Sequence, residues 1–392
     1  SKTYLNATSG GSLYLRHNGG TKLTTTATGI DVTGNITVGN NDTILAENNI
    51  RFKPTGAAYI DHNTVGQAIN FRVSGSSSLD TNALTVSSTG IDVTGNVNGL
   101  AITTTATSNI GLGTGAVDSI TTGDYNVGIG DNAGTAITTG GYNVAVGDNS
   151  LLVNTTGNYN TAIGRAALAS NTTAHSNVAV GINSLNSNTT GGSNIAIGDS
   201  SLQFNTTASS NTAVGNWSLR ANTTGASNTA VGALALDANT TGTENVAVGY
   251  GTLGANTTGI DNTAIGASAL TYNTTGSHNS GLSRATLVNN TTGSYNTAAG
   301  KSALQSNTTG HNNTAIGYTT LDANTTGYHN VAVGNDALGA NTTANQNTAI
   351  GTQALQNNTT GQYNSAVGQA SLRYNTTASY NTATGYGTLV AN

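Results

Sequence analysis

From Asn109 to the end of the chain, apolar and polar residues follow a 17-residue period. Each copy begins with an asparagine, and the consensus, numbered as slots one to seventeen, is N-[TVI]-A-[VI]-G-x-x-[AST]-L-x-x-N-T-T-G-x-x. Seventeen copies follow one another without insertion or deletion, and the last one is cut short. Because loops in globular proteins tolerate changes of length, so strict a period indicates that each copy is held in register with its neighbours.

The length of the period predicts a parallel β-solenoid. Helix-pair repeats need about 33 to 47 residues and propeller blades about 40 to 50, and glycine at slots five and fifteen disfavours a helix. We therefore expect an all-β fold, a β-solenoid or β-roll, in which each 17-residue coil holds two or three short strands joined by tight corners. Seventeen coils stacked at about 4.8 Å make a rod on the order of 80 Å long.

Within a coil, large and small residues alternate between slots two and five. Slots two and four hold Thr, Val or Ile, whereas slots three and five hold Ala and Gly, a pattern typical of a strand. We expect the larger residues to point into the core with the slot-nine leucine. The small residues then form an outward face that the backbone of a second chain can approach closely. This candidate inter-chain face comprises Ala145, Gly147, Ala213, Gly215, Ala230, Gly232, Ala264 and Gly266; the alternative is that the small residues only relieve crowding at a bend.

Slots one and twelve stack asparagine on asparagine along the array. Asparagine tolerates turn conformations, and its amide can bond to the backbone and to the next asparagine of a stack, so we expect ladders at two corners. The N-T-T string at slot twelve is also a glycosylation sequon in fourteen copies, although a recurrent corner produces sequons automatically. Asn154, Asn222 and Asn273 represent the candidate glycosylation sites.

The first 108 residues lack the 17-residue period and contain a duplication of their own. Residues 22–38 and 83–99 both hold the string GIDVTGN, and each copy follows an alternating segment, at 12–19 and 68–75. Alternation bounded by glycine and asparagine predicts short strands and hairpins. We divide the chain into a β-rich shaft unit at 1–40, a second one at 41–108 and the array of coils at 109–392.

Composition argues against several classes of protein. Only 7% of residues are charged, against about 25% in an ordinary soluble domain. A net charge of −5 without any cluster of Lys and Arg argues against a nucleic-acid partner. No stretch of the chain approaches the eighteen or so apolar residues of a membrane span.

The sequence contains no pattern that predicts a catalytic, metal or cofactor site, and we expect a protein that is not an enzyme. The four histidines of the array fall in slots sixteen and seventeen of separate coils, and the carboxylates occupy varying slots, so no calcium ladder is visible. Aromatic residues occupy the variable slots. An exposed ring beside an asparagine suits a carbohydrate, and the candidate ligand contacts are Trp217, Tyr250, Tyr318 and Tyr328; packing of a ring over the coil below is the alternative.

The strings at 211–215 and 262–266, N-T-A-V-G and N-T-A-I-G, resemble the head repeat of trimeric autotransporter adhesins. In that family a comparable N-S-V-A-I-G element forms one strand of a left-handed parallel β-roll, and three chains associate side by side. The GIDVTGN segments at 29–35 and 90–96 ahead of such an array are similar to phage tail-fibre proteins. The resemblance covers about 284 residues. It implies a homotrimeric fibre that contacts a host-surface glycan or protein and joins other virion or surface-anchor proteins.

Three classes of function remain open. The first is the shaft of a virion fibre, a phage tail fibre that presents or forms a host-binding surface. The second is a bacterial extracellular adhesin or surface filament of the trimeric autotransporter type. The third is an ice-binding solenoid, because the threonines of slots thirteen and fourteen form long ladders. We expect the protein on a virion or at a cell surface.

Overall fold

The computed structural model describes residues 3–7, 13–17, 20–26, 29–32, 69–75, 78–87, 90–93, 102–103 and 108–390. The chain divides into two compact units, one of residues 1–73 and 84–92 and the other of residues 74–83 and 93–392. All the regular secondary structure of the described residues is β-strand.

The described residues before the array form short sheets. Strands β1 (Thr3–Ala7), β2 (Leu13–His17), β3 (Gly20–Thr26) and β4 (Gly29–Val32) pair antiparallel in chain order. Strands β5 (Ile69–Gly75), β6 (Ser78–Ser87) and β7 (Gly90–Val93) form a three-stranded sheet in the same order. The two copies of the GIDV string are β4 and β7. The expected boundary between residues 40 and 41 lies outside the described residues.

The array is a parallel β-solenoid of 17-residue coils, as the period predicts. Each coil contributes one three-residue strand at slots two to four, and each strand pairs parallel with the next, slot on slot. A short strand β8 (Ile102–Thr103) pairs antiparallel with the first of them. The strands of the array are β9 (Ile110–Leu112), β10 (Val127–Ile129), β11 (Val144–Val146), β12 (Thr161–Ile163), β13 (Val178–Val180), β14 (Ile195–Ile197), β15 (Thr212–Val214), β16 (Thr229–Val231), β17 (Val246–Val248), β18 (Thr263–Ile265), β19 (Ser280–Leu282), β20 (Thr297–Ala299), β21 (Thr314–Ile316), β22 (Val331–Val333), β23 (Thr348–Ile350), β24 (Ser365–Val367) and β25 (Thr382–Thr384).

The expectation of two or three strands per coil is wrong, because turns occupy the other slots of each coil. Slot five has φ between 118° and 136°, a region that favours glycine, and the slot-nine leucines have φ between 46° and 53°. These turns bond from coil to coil as strands do: Gly147 N donates to Ile129 O at 2.7 Å, and Leu151 N donates to Ala167 O at 2.9 Å. The bonds to neighbouring coils support a left-handed backbone conformation that costs an isolated leucine about 1 to 2 kcal/mol.

The core of each coil is narrow and half polar. Slots one, three, eight, nine, twelve and fifteen are buried along most of the array, so that Asn, Ala, Leu, Gly and the Ser or Thr of slot eight fill the interior. In one coil, Ala145 and Leu151 are fully buried, whereas Val144 and Val146 are partly exposed. The expected direction of the strand is therefore wrong: slots two and four point outward, and slot three points inward.

Lack of space inside the coil explains this direction. A Cβ atom added at Gly128, which occupies slot three, would lie 2.8 Å from Ala133 O and 2.9 Å from Val117 Cγ1. Only Gly or Ala occurs at slot three in the seventeen copies. A valine or isoleucine pointing inward would overlap the turn on the opposite side of the same coil.

Candidate functional site

An unbroken asparagine ladder runs along one corner of the solenoid at slot one. The Oδ1 atom of each asparagine accepts the backbone N–H of the slot-one asparagine in the next coil, at 2.7 to 3.1 Å from Asn126 to Asn381. The Nδ2 atom donates within its own coil to the slot-fifteen carbonyl, as Asn143 does to Gly157 O at 2.8 Å. Each side chain thus closes its own coil and attaches it to the next.

A second ladder, at slot twelve, runs from Asn154 to Asn375. Each Nδ2 atom donates to Oδ1 of the preceding coil at 2.8 to 3.4 Å. It also donates to the slot-fifteen carbonyl, as Asn154 does to Gly157 O at 3.0 Å. From the third coil to the sixteenth, one carbonyl of each coil therefore accepts from both ladders, which confirms the expected role of asparagine at these corners.

The ladder contradicts the candidate glycosylation sites. Asn154, Asn222 and Asn273 are 0% exposed, and the Nδ2 atom that would carry a glycan donates hydrogen bonds inside the coil. A glycan at this nitrogen has no room in the folded coil. Burial of slot twelve is therefore incompatible with modification of the folded array.

The four alanines assigned to the candidate inter-chain face do not lie at the surface, so this part of the assignment is wrong. Ala145, Ala213, Ala230 and Ala264 are 0% exposed within a single chain, so no second chain can reach their side chains. The glycines Gly147, Gly215, Gly232 and Gly266 are partly exposed. They pack against the next coil of their own chain: a Cβ atom added at Gly215 would lie 2.6 Å from the carbonyl carbon of Gly232. The small residues serve the stacking of coils within one chain.

The side chains of slots two and four, from Ile110 to Thr384, point outward from the strands. We call the surface that they form the outer strand face. Isoleucine and valine at slot four stand well out of the coil; for example, Ile265 is 43% exposed and Val231 is 37% exposed. Its thirty-four positions hold Ile, Val, Leu, Thr, Ser and Ala, with no charged and no aromatic residue. All fifteen charged residues of the array fall in slots six, seven, ten, sixteen and seventeen. Charge is thus segregated away from one face of aliphatic and hydroxyl side chains.

The four candidate ligand contacts are exposed, at 41% for Trp217, 62% for Tyr250, 51% for Tyr318 and 37% for Tyr328. They do not form one patch, since they occupy slots six, seven and sixteen of three different coils. Tyr328 stacks on His311 with ring centroids 5.0 Å apart, and the Lys301 ammonium lies 5.7 Å from the ring of Tyr318. Two of the four rings, those of Tyr318 and Tyr328, therefore already pack against side chains of the preceding coil.

Tyrosines at slot seventeen stack on one another at the spacing of the coils. The ring centroids of Tyr125 and Tyr142 are 4.8 Å apart, and those of Tyr142 and Tyr159 are 5.1 Å apart. Tyr363 and Tyr380 stack in the same way at 4.9 Å. Because each inner ring covers the face of its neighbour, these stacks stabilise the turn and offer mainly ring edges to a ligand.

Two arginines that the sequence reading missed lie against aromatic rings at slot ten. The guanidinium of Arg220 lies 4.8 Å from the ring of Trp217 and 5.6 Å from that of Phe204. The guanidinium of Arg373 lies 5.3 Å from the ring of Tyr374. A signal was present in the sequence, because in both cases a glutamine occupies slot ten of the preceding coil.

Two carboxyl groups at slot ten have a raised pKa. Burial raises the pKa of Asp237, and the nearby Arg220 opposes that rise. Burial and the charge of Asp336 both raise the pKa of Asp322. Within the described part of the chain, no three His, Asp or Glu side chains lie close enough together to hold a metal ion. The described residues also contain no helix that could span a membrane.

Comparison with protein families, with curated proteins and with solved structures finds no match to this chain.

Proposed function

We propose that this chain is the shaft of a homotrimeric virion fibre, a phage tail fibre, in which three solenoids associate through their outer strand faces. The observation that carries the proposal is the segregation of charge: the outer strand face holds only uncharged aliphatic and hydroxyl side chains along the whole array, and every charged residue of the array lies elsewhere on the coil. The exposed aliphatic side chains of slot four form a row along this face, and exposed apolar surface of this extent marks an interaction site.

The size of this face supports self-association. Sixteen intervals of about 4.8 Å and a three-residue strand of about 10 Å give an area of roughly 800 Å² for each chain. That is about the area that each partner buries in a standard stable interface. Because the coils repeat in register, a second copy of the chain presents the same spacing of side chains, which a partner of different period would not match.

Association through the outer strand face would also compensate for the small apolar core of each coil. From the third coil to the sixteenth, the interior of each coil holds one leucine beside small or polar residues, namely alanine, glycine, serine, threonine and asparagine, so the chain buries little apolar area by itself. Burial of the outer strand face between copies adds apolar area without widening the coil. In this arrangement the variable slots, with their aromatic and charged residues, stay outward and form the host-binding surface.

The oligomeric state tests the proposal directly. We expect light scattering coupled to size-exclusion chromatography to give about three times the chain mass of 39.0 kDa. The triple variant Val214→Lys, Val231→Lys, Val248→Lys places charge at slot four and should dissociate the trimer. Its matched control, Thr224→Lys, Thr241→Lys, Thr258→Lys, places the same charge at the exposed slot fourteen of the same coils and should leave the trimer intact. A wild-type monomer contradicts the proposal.

The second function class, a bacterial surface filament, shares this assembly and differs in location. Antibodies against the array, used in immunogold electron microscopy, should label fibres on purified virus particles. Label restricted to the envelope of intact cells would favour the surface filament instead.

One observation favours the ice-binding class. The slot-fourteen threonines are exposed in sixteen successive coils and therefore form a row at about 4.8 Å spacing. The slot-thirteen hydroxyls are directed elsewhere: Thr155 Oγ1, for example, donates to Thr172 O at 3.2 Å. Measured thermal hysteresis that the triple slot-fourteen lysine variant abolishes would support this class.

A further inference from the structure

We infer that two arginine sites at slot ten, one around Arg220 and one around Arg373, bind the carboxylate groups of acidic saccharides. The inference rests on the proposed function as a host-binding fibre and specifies the class of ligand for its variable surface.

In the first site, Arg220 is held in place from three sides. Its Nε donates to Gln203 Oε1 at 3.2 Å, and its guanidinium lies over the rings of Trp217 and Phe204. A guanidinium carries five N–H donors, and no described residue accepts a hydrogen bond from the four on the two Nη atoms. A guanidinium fixed in this way presents a planar fork that matches a carboxylate.

The second site repeats the first, nine coils further along the array. Arg373 Nε donates to Gln356 Oε1 at 2.9 Å, and the guanidinium lies over the ring of Tyr374. Again no described residue accepts a hydrogen bond from its Nη atoms. Both arginines occupy slot ten, and the nine coils between them correspond to about 43 Å along the array. That distance suits two residues of one extended polysaccharide chain.

The rings of both sites are available to a sugar. Trp217 is 41%, Phe204 43% and Tyr374 49% exposed. An aromatic ring offers an apolar surface on which the C–H groups of a pyranose can pack. A carboxylated sugar combines that packing with an anion for the guanidinium, which a neutral sugar does not supply. At the first site this anion competes with the carboxyl of Asp237, which already interacts electrostatically with Arg220.

Local charge favours an anionic ligand at the second site in particular. Arg373 is the only charged residue between positions 337 and 390, so no acid of that stretch neutralises it. The whole chain carries a net charge of −5, and a general attraction to polyanions is therefore not expected. Binding to an acidic polymer should depend on these two sites.

Calorimetric titration of the full chain with oligogalacturonate tests the inference. We expect saturable binding, and we expect the methyl-esterified oligomer, which has the same rings without the charge, to bind at least about tenfold more weakly. Arg220→Gln and Arg373→Gln should each weaken binding several-fold. The double variant should lose more than either because the two sites act on one chain. Arg284→Gln is the matched control: it removes the same charge from the exposed slot six of another coil and should change nothing.

Other outcomes would overturn the inference. Equal binding of the acid and its ester, or equal weakening by Arg284→Gln, would show that the two guanidinium sites do not recognise the ligand. Arg373→Lys keeps the charge but loses the planar fork, so unchanged binding by this variant would also contradict the geometry. The mass of each sample separates this question from the fibre assembly: intact trimers without any binding refute the saccharide sites alone, whereas monomers refute the fibre.

Discussion

The first two coils of the array and the coils that follow them solve the same packing problem in different ways. In the first two, slot twelve holds Ile120 and Ile137, and slot nine holds Val117 and Gly134; from the third coil onward these slots hold Asn and Leu in every complete copy. Ile137 is fully buried, and a Cβ atom added at Gly134 would lie 2.8 Å from Ile137 Cδ1. In this coil the isoleucine thus fills the space beside slot nine that a leucine fills elsewhere.

The difference shows which ladder the coil requires. Strands β9, β10 and β11 keep the same parallel register across the change, and the slot-one ladder continues through it from Asn109. The slot-twelve ladder begins only at Asn154. A coil can therefore form with an apolar corner at slot twelve, whereas an asparagine occupies slot one in every copy.

The largest expected effect is the loss of a slot-one asparagine. Asn245 Oδ1 accepts from the backbone N and from Nδ2 of Asn262, and its own Nδ2 donates to Gly259 O and Asn228 Oδ1. Asn245→Leu leaves several of these buried groups without a partner, at about 1 to 3 kcal/mol for each. We expect a loss of at least about 4 kcal/mol in the free energy of unfolding, measured by chemical denaturation. Asn335→Leu, at the exposed slot six, is the control and should stay within about 0.5 kcal/mol.

The second prediction concerns slot five, where one coil departs from the rest. Gly215 has φ of 135° and packs against Gly232, so Gly215→Ala should destabilise the protein by about 2 to 3 kcal/mol. Ser283 occupies this slot with φ of 118°. Ser283→Gly should therefore stabilise the protein by about 1 kcal/mol. Melting temperatures that shift in the same direction for both variants would refute the role assigned to this slot.

The third prediction transfers the residues at slots nine and twelve of the second coil to the third coil. Leu151→Gly removes a buried side chain and should cost about 2 to 5 kcal/mol, and Asn154→Ile places a larger apolar residue beside an intact leucine. The double variant recreates the pair found at Gly134 and Ile137. We expect it to be more stable than the sum of the single effects implies, by about 1 kcal/mol or more. A double-mutant cycle by denaturation measures this coupling, and strict additivity would show that the two slots do not share one space.

The smallest expected effect concerns Asp322. Burial and Asp336 raise the pKa of this carboxyl, so folding favours its protonated form. That contribution is complete below the ordinary pKa of the group and is lost as the pH rises through the raised value. Asp322→Asn should therefore increase the melting temperature at neutral pH, and the gain should disappear near about pH 3. Asp148→Asn, at an exposed position, serves as the control.

The period predicts the solenoid because every slot recurs without a gap, and the asparagine corners follow from their stacking at slots one and twelve. The direction of the strand does not follow from hydrophobicity, since the rule that larger apolar residues point inward assumes a core wide enough to hold them. The useful signal is variation. Slot three holds only Gly or Ala, whereas slots two and four range from serine and alanine to isoleucine and leucine; the restricted slot faces the crowded interior.

Part of the candidate site was likewise visible in the sequence. The sequence predicts that the rings of Trp217 and of the three candidate tyrosines are exposed. It does not predict which residues contact Trp217, because Arg220 is three residues away in the same coil and Phe204 belongs to the preceding coil. Their contact depends on how the turn between slots seven and eleven folds back, with Leu219 at φ of 49°. A period read from residue types alone does not give that backbone conformation.

The slot-one ladder has a consequence for how this protein can change over generations. Each coil offers its neighbours the same amide acceptor on one side and the same backbone donor on the other. Unequal recombination between copies that removes or duplicates whole coils therefore rejoins equivalent surfaces, and each event changes the rod by about 4.8 Å per coil. Length is thus a heritable quantity that varies in uniform steps, independently of the residues that decorate the variable slots.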